Sequence, residues 1–563
     1  MIATFWLLAV PVVYYGLYYL GRWIRHKIVL RTTGLADLPQ LGQSRPPGQK
    51  IRGTAVVCGG SVGGLLAARV CHDHFEKVVI VEPEAWLADE DGSATHAWTQ
   101  THRRGRVLQY YSFHALLPPS FASWTRLFPN LEKECEKSGI RCLPADFKVL
   151  MWGLPITTPF EDYGDRFPKT LNAGRQSTET LLRRLVVGQK DQYPNIEWTV
   201  GTVTGVTADP NDKSRLNNVV MRTADASTTE IEATLVIDCT GPAQAGLKWL
   251  QHAGYGFASD GSSYKKGTLP LDQLSISYNQ KVQYFTYVLQ VSPELGRRLP
   301  TPAKWDEEGV FILAYTDARV DRKFVAGQRI ENNQLLLCCS AWAPTADLPR
   351  TLAEIKEFSR SMIVSRPLPE WFFELLDLLA EVEDTMELHT VHCPPSTSVR
   401  FHQATNLPSN YIALADSTMR VNPLFGKGIT KASLGAISLN NVLHNLHNRL
   451  ASSESYLSTV AKLPDSFAKD FFAVQWNKIS RIWEDTRVFD YGWDTTVPLP
   501  GETTEFGAAL RWWQQNIVTL AMTDRQAASA YWHALMLMGP PTDIFHPRLV
   551  LKILWRRLRH GPA

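Results

Sequence analysis

Two segments far apart in this chain hold residues whose types and spacing could do chemistry on a phosphate-bearing ligand. In the first, TAVVCGGSVGGLLAARVCHDHFEKVVIVE over residues 54–82, an apolar run leads into a glycine turn, then a small-residue stretch and a second apolar run that ends in an acid. Gly59 and Gly64 hold the outer positions of a G-x-G-x-x-G pattern, Ser61 takes the place of the middle glycine, and Gly60 and Gly63 add room. Glycine lets a backbone come close to a pyrophosphate, and the helix that follows presents unpaired N–H groups and partial positive charge to it. Glu82, about 20 residues on, is placed to take ribose hydroxyls. In the second segment, LADSTMRVNPLFGKGITKAS over 414–433, Asp416 ends an apolar run, Pro423 stiffens a loop, and Gly426 and Gly428 precede a small-residue helix. A carboxylate there can accept hydrogen bonds from a polyol, and the helix amides can face negative charge.

These groups need elements to hold them. Residues 54–82 read as strand, turn, helix and strand, with Ala67 and Ala68 letting the helix lie close to the sheet. GRQSTETLLRRLVV (174–187) has apolar residues at helical spacing, and Leu235–Gly241 is an apolar strand ending in a polar turn. From about Gln273 to Trp342 the pattern alternates as antiparallel strands do, with helices expected near 352–364 and 371–382. Tyr411–Asp416 returns to a buried parallel-type strand. The expected fold class is α/β: a Rossmann-like domain split in sequence, with a β-rich substrate domain inserted into it, a C-terminal helical region and an N-terminal transmembrane helix. The expected boundaries are an anchor over 1–22, a linker over 23–51, the cofactor domain over 52–255 and again over 401–450, the β-rich insert over 256–400, and a helical cap over 451–563.

Composition sets limits. The chain has 563 residues, 44% hydrophobic and 20% charged, enough for a sizeable core. A formal charge of +3, with basic residues clustered only at the two ends, gives no footprint for nucleic acid. Eight cysteines and fifteen histidines show no metal-ligand spacing, so no metal is expected. Met1–Leu20 carries no charged side chain and is followed by Arg22, Arg25, Lys27 and Arg31. About 20 apolar residues can span a bilayer, and the cations would then face the cytosol. A cleaved signal peptide fits less well, because no basic stretch precedes the apolar run and no small-x-small site promptly follows it. The expectation is a single-pass anchor in the endoplasmic reticulum membrane, with the catalytic body on the cytosolic side.

A nicotinamide-only dehydrogenase has no need of a second anchor such as 414–433, whereas a flavin does, for its ribityl chain and the electron-rich edge of its ring. Here the chain resembles the FAD-dependent monooxygenases of the aromatic-hydroxylase and squalene-epoxidase type, over about residues 54–490. The resemblance implies that Asp416 binds the ribityl chain and that Pro423 lies beside the flavin ring. It also implies that Gly426, Lys427 and Gly428 lend backbone N–H groups to the pyrimidine edge. Arg175, opening GRQSTETLLRRLV, is implied as a contact to the flavin side chain or pyrophosphate, with Arg183 and Arg184 solvated or structural. RRGRVLQ makes Arg106 and Gln109 secondary candidates, Val203 matches an adenine-facing backbone position, and Asp238 and Gly241 fall near the ADP half. Two departures stand out: Ser61 replaces a glycine, and no D-G motif with a trailing arginine is present, which leaves the route of reduction open.

The implied activity is insertion of one oxygen atom from O2, by hydroxylation or epoxidation, into a lipophilic small molecule such as a terpenoid or polyketide. NAD(P)H is the implied electron donor, with a separate membrane-bound flavin reductase as a candidate partner. No dedicated catalytic dyad is expected, and His114 and His402 read as structural. Tyr278, Tyr284, Phe285, Tyr287 and Phe311 either line an apolar substrate wall or form ordinary sheet core. The C-terminal stretch, ending in Arg556, Arg557 and Arg559, either lies in a membrane interface or packs as a helical cap. Alternatives on the same scaffold are a flavin-dependent reductase or a halogenase, and outside it a non-catalytic flavin-binding scaffold protein.

Overall fold

Long apolar runs such as VVC before the glycine turn and VVIVE after it suit strands covered on both faces, and that is where they lie. In a computed structural model of the chain, residues 2–560 are described apart from 47, 190, 257–266, 344, 346 and 452–461; for 2–14, 449–451 and 560 only the backbone is described. A parallel sheet is ordered Tyr411–Ala413, Leu235–Asp238, Ile51–Cys58, Phe75–Glu82, Ile196–Val200. Cys58 is in register with both Val81 and Asp238, and Asp238 with Ala413. The carboxyl ends of these strands therefore line up, and Gly59, Glu82, Cys239 and Leu414 come out along one edge. Ligands of open parallel sheets sit at such an edge. The helix Val62–His74 returns across the sheet with its alanines fully buried.

A second sheet is largely antiparallel. Its order is Glu387–His392, Gln283–Gln290, Gln334–Ala341, Lys323–Arg329, Val310–Tyr315, Val149–Met151, Leu154–Pro155. One face turns towards the parallel sheet. The other carries Phe285, Tyr287 and Phe311 into a separate core with the helices Leu352–Arg360 and Glu370–Leu379. QLSISY, expected as part of this sheet, instead gives Ser275–Tyr278, which pairs with Ser396–Val399 in a small sheet of its own. The C-terminal region is helical, as expected: Phe467–Asp490 packs on Gly428–Ala451, followed by Ala508–Ala521, Arg525–Leu535 and Pro547–His560.

The N-terminus requires a correction. A single helix runs over Ile2–Thr32, and among the described residues no helix is long and apolar enough to cross a membrane. The single-pass anchor, and the membrane localisation built on it, are overturned; the side chains of residues 1–14 lie outside the described residues. The cations read as a cytosolic flank are spent on the protein itself. Arg25 makes a two-pronged ion pair with Asp543 (2.8 and 2.9 Å), and Arg31 bonds Asn477 (3.2 Å). The stretch read as a linker is also docked: Asp37 pairs with Lys478 (3.0 Å) and accepts from Asn441 (2.6 Å), and Arg45 reaches His74 and the Leu443 carbonyl.

Candidate cofactor and substrate cavity

At the glycine turn, each glycine has a separate steric reason. Gly59 has φ +121°, and a Cβ there would strike the Cys239 carbonyl. A Cβ on Gly64 would run into the Gly59 carbonyl oxygen, one on Gly60 into the Trp198 ring, and one on Gly63 would come within 2.8 Å of the Ala415 methyl. The turn is thus closed against the neighbouring strands and against the late loop. The Gly60 N–H donates to Glu82 (2.7 Å), as does Glu84 N–H (3.2 Å). Glu82 is 3% exposed; burial pushes its carboxyl up, and Arg104 with the Gly60 N–H pulls against that.

Ser61, the departure from the glycine pattern, has a partner far along the chain. Its hydroxyl donates to Glu179 (2.7 Å) and accepts from Arg175 (2.9 Å). Glu179 is fully buried and is gripped by Arg104, Arg175 (2.8 Å) and Arg183 (2.7 Å). Burial alone would raise its carboxyl, but the three guanidiniums and the Ser61 hydroxyl outweigh that and hold it at about 2. Arg175 therefore lines the cavity with its guanidinium already engaged, and Arg183 is structural and 1% exposed rather than solvated. Arg106 is exposed on the cavity rim, where its backbone N–H donates to Glu84 (3.3 Å). Val203 lines the cavity beside Thr202, and Gly241 and Gln109 also border it. Asp238 does not line it; it binds the backbone of Thr240 and Gly246 and the hydroxyls of Tyr411 and Ser417.

The late loop is held by side chains from three other elements. Asp416 borders the cavity and pairs with Lys431 (2.6 Å), which also reaches the Met419 carbonyl. Asn422 accepts from Leu424 N–H (3.1 Å) and donates to Asp490 (2.7 Å), while the Tyr315 hydroxyl donates to the Leu424 carbonyl (2.7 Å). Gly426 takes the left-handed conformation (φ +63°), which glycine adopts without strain, and Gly428 begins the long helix. Asp490, fully buried, also accepts from Trp342 (2.9 Å) and Tyr278 (2.8 Å); burial pushes it up to about 6 against these donors. Lys427 is 7% exposed, and burial lowers its ammonium against the pull of Asp485.

One cavity of about 800 Å3 joins both segments. Its lining takes in Gly59–Gly63, Glu82 and Val203 together with Asp416 and Pro423–Gly428, and the two segments meet where a Cβ on Gly63 would come within 2.8 Å of the Ala415 methyl. Beyond Phe425, which lies beside Tyr315 and Phe489, the aromatic lining comprises Tyr284, Tyr315 and Phe324 of the antiparallel sheet and Phe489, Tyr531 and Phe545 of the C-terminal helices, here called the aromatic chamber. Of the five aromatic residues singled out for a substrate wall, only Tyr284 borders it. Strand alternation sends its neighbours Phe285 and Tyr287 to the opposite face. His114 borders the cavity with Nδ1 at 2.8 Å from the Ser112 carbonyl oxygen, and burial lowers it to about 4, so it is neutral at pH 7. His402 stacks on Trp476 (4.1 Å) away from the cavity. Among the described residues no group of side chains could hold a metal ion. Glu179, Arg104, Lys431 and Asp490 were not singled out by sequence; the R-x3-E-x3-R spacing of Arg175, Glu179 and Arg183 was the one available signal.

No family model matches the chain, and no curated protein matches it in sequence. Solved structures do. A flavoprotein/dehydrogenase from Cytophaga hutchinsonii superposes with a TM-score of 0.52 at 12% identity, covering 91% of this chain and 100% of that one. CmlS, a flavin-dependent halogenase, gives 0.50 at 14%, covering 90% and 77%. p-Nitrophenol 4-monooxygenase PnpA from Pseudomonas putida DLL-E4 gives 0.49 at 17%, covering 87% and 99%. The chain shares the fold of the flavoprotein/dehydrogenase and of the flavin-dependent halogenase.

Proposed function

We propose that the protein is an FAD-dependent monooxygenase that inserts one oxygen atom from O2 into a lipophilic small molecule, such as a terpenoid or polyketide, in secondary metabolism. The observation that carries this is the continuity of one cavity from the glycine turn, past the Asp416–Gly428 loop, into the aromatic chamber. The residues present fit the cofactor. The turn has no room for added Cβ atoms, the helix after Ser61 points its N-terminus at the cavity edge, and Asp416 offers a carboxylate where a polyol would pass. Gly59, Gly60, Ser61, Gly63 and Gly64 would hold the pyrophosphate region, with Glu82, Arg106, Arg175 and Val203 around the ADP half. Asp416 would hold the ribityl chain, and Pro423, Gly426, Lys427 and Gly428 would border the ring.

Bound there, FAD would supply the activation of O2, with NAD(P)H as donor directly or through a separate reductase. The chain's own contribution is placement and exclusion of water. Tyr315 fixes the loop by its hydroxyl and walls the chamber with its ring, and the neutral His114 adds no charge near it. Apolar walls of this kind strengthen the few polar contacts that orient a substrate. The test is to load the purified protein with FAD, supply NADPH, O2 and an extract of lipophilic metabolites, and search by mass spectrometry. A product heavier by one oxygen, absent under nitrogen, is expected. A halogenated product with bromide present, or a double bond reduced anaerobically, would replace this reading with another flavin chemistry.

A further inference from the structure

The loop residue Lys427 sits between two glycines, but its side chain reaches towards the C-terminal helix Phe467–Asp490. Its Nζ lies 3.9 Å from an Asp485 carboxylate oxygen on the C-terminal helix Phe467–Asp490, too far for a hydrogen bond. Among the described residues its ammonium makes no hydrogen bond, although the residue is 93% buried by exposure. A buried ammonium without acceptors is costly. Asp485 is itself 29% exposed and is steadied by Arg481 (3.1 Å), whose other nitrogens are occupied by the carbonyls of Gly539 and Ala534. Lys427 and Asp485 both border the cavity, as do Arg481, Thr486 and Gln514 and the rings of Phe425, Phe489 and Tyr531. A donor and an acceptor thus face each other across a gap in an aromatic chamber.

We propose that Lys427 and Asp485 form the polar recognition notch of the chamber, which takes a hydroxyl group carried by an apolar ring compound. The inference rests on the aromatic chamber being the substrate site. An oxygen about 2.8 Å from each group fits a 3.9 Å gap, accepting from the ammonium and donating its proton to the carboxylate. An ether or ketone meets only the lysine, and a carboxylate has no proton to donate to Asp485. The notch fixes which end of the molecule enters and so which atom is presented to the rest of the cavity.

The test uses the full-length FAD-loaded protein and three probes of one shape: 2-naphthol, 2-methoxynaphthalene and 2-methylnaphthalene, titrated by calorimetry. The expected order of affinity is naphthol, then the ether, then the hydrocarbon, with about tenfold between first and last. Asp485→Asn should remove most of naphthol's advantage over the ether, and Lys427→Met the ether's advantage over the hydrocarbon. Equal affinity for all three probes overturns the proposal, as does an order unchanged in both variants. Loss of FAD from Lys427→Met with the probe order intact also overturns it, by assigning the ammonium to the cofactor. A protein that never takes up FAD but keeps the probe order and its two losses defeats the cofactor reading while supporting the notch.

Discussion

The two glycine segments solve one problem, holding a loop in an unusual shape, by opposite means. Around Gly59–Gly64 the shape is dictated by backbone crowding and by ions: Glu179 sits among three guanidiniums with Ser61 tied to it. Around Asn422–Gly428 it is dictated by directional bonds from Asn422, Tyr315 and one buried acid, Asp490, that is pushed towards neutrality. The first end is set by charge that persists across the physiological range, and the second by a carboxyl that titrates near its lower edge. A fixed, multiply charged ligand half suits the first, and a ring whose electron density changes suits the second.

The largest effect is expected from the crowded turn. Gly64→Val places a branched side chain on the Gly59 carbonyl and should abolish FAD retention, read from the flavin absorbance of the purified protein. Next comes Glu179→Gln, which leaves two buried guanidiniums, Arg104 and Arg183, and the partly exposed one of Arg175 facing a neutral amide and should cost roughly 3–5 kcal/mol in urea unfolding. If the ionic end holds as described, acid should attack it in a defined window. The Glu179 carboxyl is lowered from 4.5 to about 2, so its stabilisation is present above pH 4.5 and is lost as pH falls from there towards 2. The wild-type unfolding midpoint should drop over that range, and that drop should be shallower in the Gln variant.

Smaller effects are expected at the directional end. Asp416→Ala removes a polyol acceptor and frees Lys431, and should weaken FAD binding by about tenfold, measured by fluorescence titration. Asp490 responds to pH with the opposite sign from Glu179. Its folded value is raised from 3.8 to about 6, so its contribution is full below 3.8 and is lost as pH rises through 6. Asp490→Asn, whose amide oxygen can still accept from Trp342 and Asn422, should change stability below pH 4, where the acid is protonated, by only about 1 kcal/mol and should remove that slope. A large loss in that acid range would show that the acid works as an anion and would erase the contrast between the two ends.

Much of this was legible in one dimension. Glycines that must admit a neighbouring carbonyl leave a spacing, and an acid ending a buried strand stands out against the residues before it, as Glu82 does. The seating of Ser61 was not legible, because its partner Glu179 is on another helix and no local pattern links them. Which of Tyr284 and Phe285 faces the cavity depends on strand register, and alternate residues of a strand covered on both faces are apolar alike. The N-terminal helix misled for a related reason. Hydropathy registers the uncharged run, but not the ion pair between Arg25 and Asp543 that ties its later turns to the other end of the chain.

The split parallel sheet has a consequence for synthesis. Leu235–Asp238 is an internal strand only because Tyr411–Ala413 covers its outer edge, and that partner is encoded beyond five of the seven strands of the antiparallel sheet. At about 5–20 residues per second of translation, the roughly 170 intervening residues take on the order of 10–30 seconds to emerge. For that interval the nascent chain carries a bare hydrogen-bonding edge on a strand apolar up to its final Asp238, so ribosome-associated chaperones should matter more to the yield of this protein than to one whose central sheet is encoded contiguously.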